Sequence, residues 1–273
     1  MMKKLMALML VAVMALSLVA CGNNAAEVAT DYAVSVEGAS IVAEAGSAGE
    51  ELATGNEFFS KASFTPVDSM AKALMEVEAG TADIAIVDYV TSIGSIGEGT
   101  DYADLKVVEG KDFSPEEYGI AFRKGSDLTE AVNAAIAELM ADGTMDKIGK
   151  TYKLDQLLVK DGKANETEIT AGDLAYVKEK GELVIGMTLF APMNYYDENK
   201  ELIGFETEFA KAVCEKLGVT PKFVEINWDT KEIELNAKSI DCIWNGMTIT
   251  EERLANMSIS VPYMKNKQVM VAK

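Results

Sequence analysis

Short apolar runs alternate with amphipathic stretches along most of this chain. Ile41, Val42 and Ala43 make a short strand after Ser40, and Gly46-Ser47 then leads into Glu50 and Glu51. A small turn followed by acids is a helix start, because the exposed N–H groups of a first turn favour negative charge. Asp68 is a plausible N-cap, and Met70, Leu74 and Val77 keep helical spacing until Gly80. Asp83 to Asp88 (DIAIVD) is apolar except at its ends, the pattern of a buried strand. Leu128, Val132, Ile136 and Leu139 mark a long amphipathic helix ending near Gly143, and residues 160–172 are polar and unpatterned, a surface linker.

The last hundred or so residues repeat the style. Leu183 to Gly186 is a strand, Phe205, Phe209, Val213 and Leu217 form a helix stripe closed by Gly218, and Lys222 to Ile226 is another strand. A helix over Trp228 to Ala237 and a buried strand over Ile240 to Trp244 follow. Residues 77–88 (VEAGTADIAIVD) line up with residues 235–246 (LNAKSIDCIWNG), with Asp83 over Asp241. Helix end, turn, aspartate and buried strand match. Alternation of this kind predicts an α/β protein of two doubly wound lobes. Ligands of open α/β sheets bind at the carboxyl ends of strands. Here those ends are Asp88 in one half and Asn245-Gly246-Met247-Thr248 in the other, so two facing lobes would enclose a small ligand.

The N-terminus changes the picture of location. Lys3-Lys4 precede an apolar run from Leu5 to Val19, short for a membrane span, which needs roughly 20 apolar residues. It ends in Leu18-Val19-Ala20-Cys21-Gly22, which resembles a bacterial lipobox. The expectation is a signal peptide over 1–20, lipid attachment at Cys21 and a small, polar tether over 21–39. About 250 residues then remain, enough for two modest domains. A net charge of −19 argues against nucleic acid and anionic membrane surfaces as partners. Histidine is absent, which removes the commonest general base and metal ligand, and no cofactor or metal is expected. Cys214 on a helix face and Cys242 in a strand are two buried thiols or a disulfide; their spacing excludes a CxxC-type metal site.

The chain resembles the polar amino-acid solute-binding proteins of ABC importers, which have a bilobal, type II periplasmic-binding fold. The resemblance runs from residue 40 to the C-terminus. It is carried by residues 181–186 (GELVIG), 196–205 (YDENKELIGF), 245–253 (NGMTITEER) and 260–263 (SVPY), with Gly46-Ser47, Val87-Asp88, 113–119 (FSPEEYG) and Asp142-Gly143-Thr144. Motif order departs from the family. The segment resembling 181–273 comes first there, and the one resembling 40–152 follows. The chain therefore looks circularly permuted, which compact domains with neighbouring surface termini tolerate. The implied division is one lobe over 40–117, a crossover at 118–123 and a second lobe over 124–273, with the old termini joined by a linker near 153–180.

The resemblance also implies roles for residues. A free amino acid needs an anion site, an ammonium site and a side-chain pocket. Arg253 suits the carboxylate, since a guanidinium pairs with it bidentately; without the resemblance it reads equally as a solvated helix arginine beside Glu251 and Glu252. Thr248, Ser47 and the Ala48 N–H would complete that site. Asp88 would hold the ammonium, helped by the Gly246 carbonyl at the Asn245-Gly246 strand end, whereas Asp83 and Asp241 read as structural caps. Phe190, Trp228, Met187 and Glu44 would line the side-chain pocket. Met187 stands where cation-selecting relatives often carry aspartate, and Glu44 where glutamine is common. Acidic ligands are disfavoured, a polar neutral amino acid is favoured, and arginine remains open if Glu44 points inward ionised. The expected protein is a monomeric, extracytoplasmic lipoprotein that passes its ligand to an ABC permease. A dehydratase-like enzyme or a sensor ectodomain are the rivals.

Overall fold

The computed structural model describes residues 31–273, so the expected signal peptide, Cys21 and most of the expected tether lie outside the described residues. The first half of the fold runs β1 (Ser40–Glu44), α1 (Ala48–Gly55), β2 (Ser63–Val67), α2 (Met70–Ala79), β3 (Ile84–Asp88), α3 (Tyr89–Ser95), β4 (Lys106–Val107) and β5 (Pro115–Tyr118). Then come β6 (Ala121–Arg123), α4 (Leu128–Ala141), α5 (Thr144–Thr151), α6 (Asp173–Lys180), β7 (Glu182–Met187) and the small hairpin of β8 (Tyr195–Tyr196) and β9 (Leu202–Ile203). The chain ends with α7 (Phe205–Leu217), β10 (Thr220–Glu225), α8 (Lys231–Asn236), β11 (Cys242–Ile243), α9 (Glu251–Asn256), β12 (Met257–Ile259) and β13 (Met264–Ala272).

Two mixed sheets result. One has the order β2-β1-β3-β13-β4, with β5 pairing β13; the other has the order β10-β7-β11-β6-β12. In each, three strands run parallel and are fed by crossover helices, as the alternating pattern requires. The internal repeat has a structural meaning. Asp83 Oδ2 accepts from the Ser40 N–H and hydroxyl, both at 2.7 Å, and so ties the start of β3 to the start of β1. Asp241 Oδ2 accepts from the Val184 N–H at 2.8 Å and from Lys180 Nζ at 2.6 Å, tying β11 to β7 in the same way.

Several elements differ from the sequence expectations. The α2 cap is Ser69, whose hydroxyl accepts from the Lys72 N–H at 3.1 Å, not Asp68. The expected helix over 228–237 is a 3₁₀ turn followed by α8, and α5 follows α4 as a separate helix after Gly143. The final strand belongs to the first sheet, not to the second lobe, and its start runs beside the crossover, Met264 pairing with Tyr118. Gln268 pairs with Asp88 and Val271 with Ala85, antiparallel. Residues 260–263 also run along the crossover: the Ser260 N–H donates to the Ile120 carbonyl at 2.9 Å and the Tyr263 N–H to the Tyr118 carbonyl at 3.0 Å. Two adjacent segments thus connect the sheets. Residues 159–172 have no helix but pack on the body, where Asn165 Nδ2 donates to the Ser260 carbonyl at 3.0 Å.

The second sheet is backed by an aromatic core. Phe209 meets Trp244 edge-on at 4.9 Å, and Phe205 stacks on Tyr263 at 6.4 Å. Cys214 and Cys242 are free and buried, and burial drives the Cys214 thiol up to about 12. They pack as small hydrophobes.

Candidate functional site

The parallel strands of the two sheets end facing each other. From the first sheet come Glu44 at the end of β1, the Ala45-Gly46-Ser47 turn into α1, and Asp88 at the end of β3. From the second come Met187 at the end of β7, then Thr188 and Phe190, and the segment Asn245 to Thr248 after β11. A Cβ added to Gly46, where φ is +68°, would sit 2.8 Å from Asp229 Cα of the second half. The halves are closed on each other here, and only glycine fits that approach.

Polar side chains fill the interface as one connected network. Asp88 Oδ1 accepts from Asn266 Nδ2 at 3.0 Å and from Gln268 Nε2, both on β13. The same two amides also reach Glu116 Oε2, at 3.0 and 3.1 Å. Thr248 donates its hydroxyl to Glu116 Oε2 at 3.2 Å, and the Thr248 carbonyl accepts from Arg253 Nη1 at 2.9 Å. Arg253, only 5% exposed, crosses to the first half: its Nη2 pairs with Glu51 Oε1 at 2.9 Å and approaches the Gly46 carbonyl at 3.5 Å. Lys231 Nζ donates to that same carbonyl at 2.8 Å and to the Trp228 carbonyl at 3.1 Å. The position of Arg253 is set locally by α9, whose N-cap Thr250 accepts from the Arg253 N–H at 3.2 Å.

Burial shifts the ionisation of these groups. Desolvation, then the Asp88 charge, pushes the Glu44 carboxyl up to about 8; Thr188 and the Lys231 ammonium oppose it. Asp88 rises to about 7 by desolvation and by the facing Glu116, which is itself raised by burial. Desolvation lowers the Lys231 ammonium to about 8, and Arg253 adds to the effect. Glu206, 1% exposed, accepts from the Gly246 N–H at 2.8 Å and from the Tyr263 hydroxyl, and burial raises it to about 7.

The residues singled out in the sequence meet at this interface. Ser47 caps α1 by accepting from the Glu50 N–H at 3.2 Å, and Ala48 opens that helix. Met187, Phe190 and Trp228 are buried walls. A Cβ on Gly246 would lie 3.1 Å from Phe190 Cζ, which puts that ring against the Asn245-Gly246 bend. Asn245 is committed to its neighbours: Oδ1 accepts from the Thr188 N–H at 2.9 Å and hydroxyl at 2.7 Å, and Nδ2 donates to the Thr188 carbonyl and to Asn194 Oδ1, both at 2.8 Å. Sequence reading missed Glu116, Lys231, Glu206, Asn266, Gln268 and Glu51. Gln268 carried a usable signal, being a polar residue interrupting an apolar terminal strand; the others look like ordinary polar or charged surface residues.

Among the described residues no helix is long and apolar enough to cross a membrane, and no group of three His, Cys, Asp or Glu could hold a metal ion. The architecture is that of a two-lobed α/β protein with a polar seam between facing strand ends. Residues 183–273 match the bacterial extracellular solute-binding proteins, family 3. The chain is similar to a probable amino-acid ABC transporter-binding protein of Haemophilus influenzae, with 37% identity over 38% of this chain and 41% of that one. It is 36% identical to the L-cystine-binding protein TcyJ of Escherichia coli over 34% of this chain and 35% of that one. It is also 31% identical to the ABC transporter arginine-binding protein 1 of the same organism, over 31% of this chain and 35% of that one. The chain thus spans about two fifths or less of these relatives' length in each match.

Proposed function

We propose that this chain captures a free amino acid between its two lobes and delivers it to an ABC permease. Its family is extracytoplasmic; attachment to the membrane through a lipid on Cys21, as a monomer, is part of the same reading. One observation carries it: the unbroken run of buried polar contacts from Asp88 through Glu116 and Thr248 to Arg253 and the Gly46 turn, spanning both lobes. Such a seam has a cation at one end and carboxylates at the other, which is the complement of a zwitterion. Arg253, with Thr248, Ser47 and the Ala48 N–H, would take the α-carboxylate. Asp88 and the Gly246 carbonyl would take the ammonium. Glu51, which now holds one edge of the Arg253 guanidinium, stands where a ligand carboxylate would compete.

Phe190, Trp228, Met187 and Glu44 would receive the side chain, a polar neutral one ahead of arginine. Cystine- and arginine-binding relatives span both possibilities. Circular permutation belongs to this reading too; its support is that residues 183–273, which match the family, follow the segment 40–152 that resembles the family's second half. Binding without turnover is expected, because the similar proteins above are named as binding proteins and the sequence offers no histidine as a general base. Calorimetry against the twenty amino acids tests the proposal. Tight binding of one or a few, with the ligand recovered unchanged, is the expected result; no binding, or a chemically altered ligand, would overturn it.

A further inference from the structure

A lysine at the seam is hard to explain as packing. Lys231 is 5% exposed, and among the described residues its ammonium bonds to two carbonyls rather than to a carboxylate. It opens α8 in the second lobe, yet the Gly46 carbonyl it holds belongs to the first, two residues along the turn from Glu44. It also lies over the Trp228 ring, 5.0 Å from the centroid. A cation on an aromatic face with a carboxylate close by is how a cationic side chain would itself be received. Glu44 is the matching puzzle. It is 2% exposed, and its Oε1 has no hydrogen-bond partner.

We propose that Lys231 is a specificity-determining residue: its ammonium takes the place of a ligand's cationic side-chain end, so that the cleft selects amino acids with uncharged side chains. The inference rests on the amino-acid-binding reading above. Charges facing the pair come from every side. Glu44 meets Asp88 from β3 and Lys231 from α8, while Lys231 meets Arg253 from α9, Glu51 from α1, its neighbour Glu232 and Glu44. Asp88 has the ligand's ammonium to pair with and Arg253 has its carboxylate, which leaves the buried Glu44 carboxyl and the Lys231 ammonium to meet the ligand's side chain. A guanidinium entering this pocket would have to displace a buried ammonium or sit against it, and like charges at short range in a dry site repel strongly. An amide or hydroxyl instead finds a donor in Lys231 and an acceptor in Glu44.

The test titrates wild type, Lys231→Met and Lys231→Gln with each of the twenty amino acids by calorimetry. Wild type should bind its best uncharged ligand about tenfold or more tighter than arginine or lysine. Both variants should shift that ratio toward the cationic ligands by about tenfold, because the repelling ammonium is gone and Glu44 can give up its proton to pair with an entering cation. Adding Glu44→Gln to either should cancel the shift, a readout that a merely structural lysine would not give. Wild type preferring arginine or lysine, or a ratio moving less than about twofold in whichever variant folds, overturns the inference and leaves amino-acid binding standing. Failure of the wild type to bind any of the twenty overturns the broader reading instead.

Discussion

Arg253 shows how a residue at this interface acquires its value. Its guanidinium is almost fully removed from water and each edge is engaged, by the Thr248 carbonyl on one side and by Glu51 and Gly46 on the other. An exposed pair of the same kind would contribute little. Here Glu51 is more than half exposed, so its carboxylate can leave for solvent and give the guanidinium to a ligand. Arg253→Ala should therefore weaken amino-acid binding by about 3 kcal/mol or more, over a hundredfold, since truncation leaves a desolvated carboxylate unmatched. Asp88→Asn should cost a comparable order through the ammonium, because Asn266 and Gln268 would then face a third amide. Calorimetry with the best ligand checks both, and a decarboxylated analogue that binds as tightly as its parent would refute the Arg253 assignment. How far such residues are legible in sequence depends on what buries them. Asp88 ends an apolar strand, so its burial is written locally. Lys231 sits in a run (WDTKEIELNAK) that reads as a solvated helix face, and only the approach of Gly46, 185 residues away, removes it from water. Glu116 is hidden likewise, because its partners Asn266 and Gln268 arrive from the far end of the chain.

At the scale of elements, the strand–helix alternation and the repeated aspartates at 83 and 241 were readable because each depends on near neighbours or on a single strand pair. The destination of β13 was not. Apolar periodicity shows that a strand is buried, not which sheet it joins, so the return of residues 264–272 to the first sheet had no local signature. That return matters for the site, since it delivers Asn266 and Gln268 to Asp88. Close approach of two turns is the other element-level requirement. The 45–47 turn fits against the 3₁₀ segment at Trp228–Thr230 only because position 46 has no side chain, and a Cβ there would meet backbone, which cannot swing aside. A second approach is found at Gly94, where a Cβ would lie 2.6 Å from Pro192 N. Gly46→Ala carries a positive-φ penalty of about 1 kcal/mol as well as this clash. It should hold the lobes apart, enlarging the radius of gyration seen by small-angle scattering and weakening ligand binding about tenfold or more. An unchanged scattering profile together with unchanged affinity would show that closure does not depend on this contact.

For the whole molecule, the seam makes stability and binding respond to pH in opposite directions. Glu44, Asp88 and Glu206 keep their protons in the folded state up to about 8, 7 and 7, while in the unfolded chain they would ionise near 4–4.5. The folded form thus binds more protons than the unfolded form between about pH 5 and 8, so stability falls as pH rises through that window. Surface carboxylates such as Asp142 and Asp146, held low by Thr144 and Lys160, have finished contributing below it. Lys231 acts in the reverse sense, but only above its lowered value of about 8. Each proton held only by the folded form adds a slope of about 1.4 kcal/mol per pH unit, and about 2–4 °C of Tm follows each kcal/mol in a chain of this size. The unliganded protein should therefore melt about ten degrees or more lower at pH 8 than at pH 5. Affinity should run the other way. A ligand ammonium favours the ionised form of Asp88, so binding expels a proton and strengthens as pH rises, levelling off above about 7. Melting curves with and without ligand from pH 5 to pH 8 measure both at once: the ligand-induced rise in Tm should grow with pH while the unliganded Tm declines. A decline that survives unchanged in the Glu44→Gln, Asp88→Asn double variant would place its origin outside the seam.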